Sequence, residues 1–144
     1  MSFAIDANLL LYASDQESPW HNAAVRRLDE LALGPEIVHL FWPTVMAYLR
    51  IATHPSIFSE PLSPEEAMQN VEGFLALPHV RSPGEHEGFW PAYRAAGEGV
   101  VLRGNVVPNA HVVALMRLYG VDAIWTRDRD YTKFRRIRVL DPFA

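Results

Sequence analysis

The feature that most restricts how this chain can fold is a set of very short apolar runs separated by stretches of helical periodicity. Phe3, Ala4 and Ile5 form the first run, Ile37, Val38 and Leu40 the second, Ala123, Ile124 and Trp125 another, and residues 137–140 the last. Runs of this length suit buried strands and are too short for helices. Between the first two, Ala24, Val25, Leu28, Leu31 and Ala32 recur at helical spacing, with Arg26, Arg27, Asp29 and Glu30 on the other side, until Gly34-Pro35. Val45, Tyr48, Leu49 and Ala52 share one face of a helix over 44–53, which His54-Pro55 should terminate. Ser63, Pro64 and Glu66 spell a capping box, the clearest helix start in the chain. Residues 79–81 read as a short strand, 85–96 as a helix and 97–105, with their glycines, as a mobile loop; a further helix should run from Pro108 to a stop at Gly120. Strands and helices in this alternation predict a single-domain α/β sandwich around a short parallel sheet.

At 144 residues and 49% hydrophobic content, one domain spanning 1–144 is expected, with a real buried core. The chain has no cysteine, so neither a disulfide framework nor a thiolate zinc site is available, and any metal must use oxygen or imidazole. No pair of the histidines has the i, i+4 spacing of a helical zinc site, and there is neither a phosphate-cradling glycine loop nor a nucleophile-elbow serine. No apolar run approaches membrane-spanning length, and the expectation is a soluble, cytoplasmic protein with no membrane partner. The net charge of -4 argues mildly against an extended nucleic-acid surface, but the charge is unevenly spread. Arg127, Arg129, Lys133, Arg135, Arg136 and Arg138 place nearly half of the 13 basic residues in one stretch, which reads either as a phosphate-contacting patch or as a solvated tail.

The chemistry-bearing residues lie where short strands end. Asp6 follows the first apolar run, and Asp128 closely follows 123–125. In open parallel sheets the carboxyl edge of the strands collects ligands, yet Asp is also a preferred helix cap, so Asp6 carries both readings. If the two strands are neighbours, the two acids converge, and such carboxylates repel unless a hard cation such as Mg²⁺ or Mn²⁺ sits between them. Asp130 is a further ligand or a supporting group. Asn109 lies on the inward stripe of its helix with Val112, Val113 and Met116, and its amide oxygen can ligate a hard cation. Each of these residues has a cap or turn as its structural alternative.

The segments Ile5-Asp6-Ala7-Asn8-Leu9-Leu10, Tyr48-Leu49-Arg50-Ile51-Ala52-Thr53-His54-Pro55, Pro108-Asn109-Ala110-His111 and Thr126-Arg127-Asp128-Arg129-Asp130-Tyr131 together resemble PIN-domain proteins, specifically VapC-type toxins of type II toxin-antitoxin systems. The likeness runs in order from Ser2 to Phe143. It implies an α/β/α sandwich around a parallel sheet and an endoribonuclease dependent on Mg²⁺ or Mn²⁺. It also implies a homodimer, neutralised by a small antitoxin protein that inserts a segment into the active-site groove. By the same resemblance Asp6 matches the first acid, Asp128 the last and Asp130 its adjacent acid. Asp6, Asp128, Asn109 and Asp130 are thus the expected catalytic residues, with metal at Asp6, Asp128 and Asn109.

Arg127, Arg129 and Thr126 are expected to meet RNA, Thr126 alternatively bonding a metal ligand, and Asn8 is read as orienting Asp6 or as a cap. Single-stranded RNA would splay its bases onto arginine or aromatic surfaces, for which Trp20, Trp42, Phe89 and Trp90 are available. Two positions depart from the family pattern: Ala47 stands where a glutamate is usual and Asn109 where an aspartate is common. Two fewer negative charges weaken divalent binding, which keeps open a catalytically weakened relative that binds RNA or antitoxin without efficient cleavage. A receiver-like signalling domain is disfavoured, because Lys133 is the sole lysine and lies in the basic stretch.

Overall fold

In the computed structural model, which describes residues 2–144 and leaves Met1 outside the described residues, five parallel strands form one sheet. They are β1 (Ser2–Ile5), β2 (Ile37–His39), β3 (Val80–Arg81), β4 (Ala123–Trp125) and β5 (Arg138–Leu140), in the spatial order β3-β2-β1-β4-β5. All four pairings are parallel.

The pleat of β1 explains the layers. Successive side chains of a strand point to opposite faces, so Phe3 and Ile5 enter one core while Ala4 enters the other. The first core is closed by α1 (Ala7–Ser14), α2 (His21–Ala32), α3 (Trp42–Ala52) and α4 (Pro64–Leu75), through residues such as Leu9, Ala24, Tyr48 and Val71. The second is closed by α5 (Phe89–Ala96) and α6 (Val106–Leu118), through Ala96, Val112, Val113 and Met116. Helices thus cover both faces of the central strand, and burying a side chain such as Ile5 stabilises by roughly 1.5–3 kcal/mol. The expected α/β/α sandwich is what the chain adopts.

Local signals place most element ends. The α4 capping box forms as read: Ser63 Oγ accepts from the Glu66 N–H at 3.1 Å, and Glu66 Oε1 accepts from the Ser63 N–H at 3.2 Å. Helix α5 begins at Phe89, four residues after the expected start. Glu85 instead reaches His111, Oε1 to Nε2 at 2.7 Å, and the Gly88 N–H donates to His86 Nδ1 at 3.0 Å, which holds 85–88 out of the helix. Helix α6 starts earlier than expected, at Val106, and tolerates Pro108 because the first turn needs no N–H donor there. The segment 97–105 is irregular, with Gly99 and Gly104 at φ 75° and 60°. Among the described residues no helix is long and apolar enough to cross a membrane.

Candidate active site

Chain order and strand order together create the site. From β1 the sheet grows to one side through β2 and β3 and to the other through β4 and β5, so the order reverses between β1 and β4. At such a point the segments leaving the strands diverge to opposite faces and open a crevice at the carboxyl edge. Register aligns Ile5 with Trp125, and the Asp6 N–H donates to the Trp125 carbonyl at 3.1 Å. The residues that follow these strands are therefore held side by side.

Asp6 has extended backbone and is the N-cap of α1, its Oδ1 accepting from the Ala7 N–H at 2.8 Å. The capping reading and the site reading of this residue are therefore compatible. Its other oxygen, Oδ2, accepts from Thr126 Oγ1 at 2.7 Å. The same hydroxyl accepts from the Asp128 N–H at 2.9 Å, so one buried threonine links the two acidic segments. Asp128 opens the 3₁₀ turn Arg129–Lys133, its Oδ1 accepting from the Asp130 N–H at 2.9 Å. Its Oδ2 accepts from Asn109 Nδ2 at 3.2 Å, and Asn109 is buried at the first turn of α6.

Asp6, Thr126, Asp128 and Asn109 thus form one hydrogen-bonded chain across β1, β4 and α6. Asp130 stands apart. Its carboxylate is half-exposed and pairs with Lys133 at 3.1 Å, while only its backbone joins the cluster. Of the residues expected to meet RNA, Thr126 is buried with its hydroxyl committed inward. Arg127 lies over the Trp20 ring at 4.1 Å from its centroid, and Trp20 stacks on Phe143 at 5.0 Å. Arg129 is exposed at the start of the 3₁₀ turn. Ala47 lies on α3 and offers no side-chain oxygen.

Burial pushes the Asp6 carboxyl above its ordinary range, against the hydrogen bonds from Thr126 and Ala7, and the charge of Asp128 pushes the same way. Asp6 therefore lies in a site that disfavours its ionised form in the absence of a counter-charge. Tyr131, three residues after Asp128, is buried beside them, and burial followed by the charges of Asp6 and Asp128 raises its phenol well above the usual tyrosine range. Tyr131 is not among the site residues expected from the sequence. The available signal was an aromatic residue three places after an acid, the spacing at which a 3₁₀ turn brings side chains onto one edge.

Among the described residues, no three His, Asp or Glu side chains converge as a closed metal cage. The donor set is instead two carboxylates and an amide. Hard oxygens in that number fit a small divalent ion that keeps several waters and takes further ligands from phosphate. Burial is the first cause of the raised Asp6 carboxyl and the charge of Asp128 the last, and a cation bound between the two acids would offset both.

No protein-family model matches the chain. Among curated proteins it is similar to ribonuclease VapC48 of Mycobacterium tuberculosis, 46% identical over 144 residues, covering 100% of this chain and 99% of the relative. Among solved structures it is similar to M. tuberculosis VapC20, a sarcin-ricin loop cleaving toxin, with TM-score 0.68 and 14% identity over 94% of this chain and 98% of that one. VapBC2 from Rickettsia felis, bound to a DNA fragment from their promoter, matches with TM-score 0.66 and 12% identity, over 97% of this chain and 98% of that one.

Proposed function

Since the chain belongs to the VapC family of PIN-domain ribonucleases, we propose that it is a toxin endoribonuclease that uses Mg²⁺ or Mn²⁺ to cleave RNA phosphodiester bonds. The observation that carries this reading is the convergence of Asp6 and Asp128 on the hydroxyl of Thr126 at the carboxyl edge of the sheet. A divalent ion at such a site lowers the pKa of a bound water and stabilises charge on phosphate oxygens. Asp6, Asp128 and the Asn109 amide would hold it.

The chain's own residues supply positioning. Thr126 fixes the rotamer of Asp6 and, through its lone pair, the backbone of Asp128. Asn109 holds Asp128 Oδ2, and the Ala7 N–H holds Asp6 Oδ1, so both carboxylates are oriented before substrate arrives. Arg129, exposed next to Asp128, is placed to meet a substrate phosphate. Arg127, over the Trp20 ring and exposed, offers a cation beside an aromatic surface to a splayed base. Asp130 acts outside the ligand set, through its ion pair with Lys133.

We further infer a small antitoxin as protein partner, a homodimer as assembly and the cytoplasm as location, each supported by the family. The test is RNA cleavage by the purified protein with and without Mn²⁺, beside Asp6→Ala and Asp128→Asn. Cleavage that needs the ion and both acids supports the reading, and cleavage retained by folded variants overturns it. A weakened enzyme that binds without turnover is favoured by one observation, the neutral Asn109 occupying the side of Asp128 where a third acid would add charge. It predicts no cleavage until Asn109→Asp and Ala47→Glu are introduced together.

A further inference from the structure

The opposite edge of the sheet carries a second feature, which the catalytic reading does not use. Where β4 and β5 begin, a cleft of about 550 Å³ is walled by Arg117, Arg135 and Arg136 and floored by Ala95, Val121 and Ile137. None of the three arginines forms an ion pair among the described residues. Two acids also line it, Glu98 and Asp122, and Asp122 is matched by Arg138 at 3.2 Å. Positive charge is therefore in excess.

The backbone is bent to achieve this. Arg136 has φ 62°, in the left-handed region that a side chain such as arginine rarely adopts. Consecutive residues of an extended chain point to opposite sides. The left-handed turn instead lets Arg135 and Arg136 face the same cleft. Arg117, at the end of α6, donates through Nη2 to the Arg135 carbonyl at 3.0 Å, which fixes the wall and leaves most of the five donors of its guanidinium free.

We propose that this cleft is a second RNA site, which grips backbone phosphates of the substrate at a distance from the bond to be cut. Guanidinium walls suit phosphate, and the apolar floor suits a ribose or base face. An acidic peptide would meet the same guanidiniums, and it is the continuity of the basic stretch with the catalytic edge that favours RNA. The stretch 127–138 links the two places: it leaves the catalytic edge at Asp128, exposes Arg129, and returns at Arg135 and Arg136 to the other edge. The separation is the length of β4 with its flanks, about 20 Å at the rise of an extended chain, so only a strand of several nucleotides occupies both. The proposal rests on RNA being the substrate.

The experiment measures binding of a labelled long oligouridylate across a salt series, in an Asp6→Asn background that keeps the RNA whole. Arg135→Ala with Arg136→Ala should weaken binding roughly tenfold and make the slope of log K against log salt shallower by about 1.4, two single-strand phosphate contacts' worth. The dinucleotide UpU, too short to bridge, should bind both proteins alike. Arg26→Ala with Arg50→Ala, exposed arginines on α2 and α3, removes the same charge elsewhere and should leave the slope unchanged. An equal loss in that control, an equal loss for UpU, or competition by polyglutamate as strong as by oligouridylate would overturn the cleft assignment. If ion-dependent cleavage is found but the arginine pair leaves binding untouched, the cleft fails and the nuclease stands. If binding depends on the pair in a protein that never cleaves, the nuclease reading fails, and the cleft stands only as an RNA-binding site, not as a grip on a substrate.

Discussion

Thr126 gives its only hydroxyl proton to Asp6, 2.7 Å from Oδ2, across the boundary between β4 and β1. Because the same oxygen accepts from the Asp128 N–H at 2.9 Å, one side chain supports both the Asp6 carboxylate and the backbone of Asp128. Thr126→Val keeps the shape and removes both bonds. Cleavage by this variant is expected to fall about 10- to 100-fold, the usual cost of losing a group that orients metal ligands, while Thr126→Ser retains most of it. Steady-state cleavage rates on one RNA decide the matter; a fully active valine variant would show that the hydroxyl only packs.

Asp6 should weaken the fold of the metal-free protein at neutral pH. Its folded carboxyl titrates above the unfolded value, so between those two values the native state binds more protons than the unfolded state, and stability falls as pH rises through that window. Asp6→Asn removes this cost while abolishing cleavage. Thermal melts in chelator should therefore place Asp6→Asn above the parent at pH 7, with the gap closing under acid, where Asp6 is protonated in both states. A variant less stable than the parent at neutral pH would contradict the burial argument.

Asn109→Asp exchanges a donor to Asp128 for a like charge. In chelator the substitution should lower the melting temperature, and with Mn²⁺ it should tighten ion binding, because the added carboxylate is then matched. Calorimetric titration beside melts with and without the ion reads both effects; a change of the same sign in each condition counts against a cation at this place.

At the far side of the fold, Ser63→Ala breaks the capping box of α4 and should cost about 1 kcal/mol of stability. RNA cleavage should not change, since α4 meets the first core and not the acidic cluster. Denaturant unfolding together with the cleavage assay separates the two, and loss of activity in the folded variant would mean that α4 communicates with the site.

Much of this arrangement was legible in residue order. The capping box, the helix stops and the positions of Asp6 and Asp128 after short strands all follow from local chemistry, and the convergence of the two acids needed only that their strands be neighbours. That neighbour relation is a property of tertiary packing, set by which helix covers which face of β1, and no local pattern encodes it. The helical spacing of Glu85 and His86 predicts a longer α5, but their side chains find His111 and the Gly88 N–H instead. Thr126 admitted two roles until its burial decided for the inward one. Tyr131 has one local signal, its place three residues after Asp128, but its burial beside two acids is a property of packing that the basic stretch around it does not encode.

The split of β1 between two cores has a bearing on how the molecule wears out. Its side chains are locked from both faces and its backbone is paired on both edges, whereas β3, with two residues, and β5, with three, each have one open edge. Local openings driven by heat or exploited by proteases begin at such margins. Asp6 follows the strand with the most support, so fraying at the sheet margins should leave its carboxylate in place.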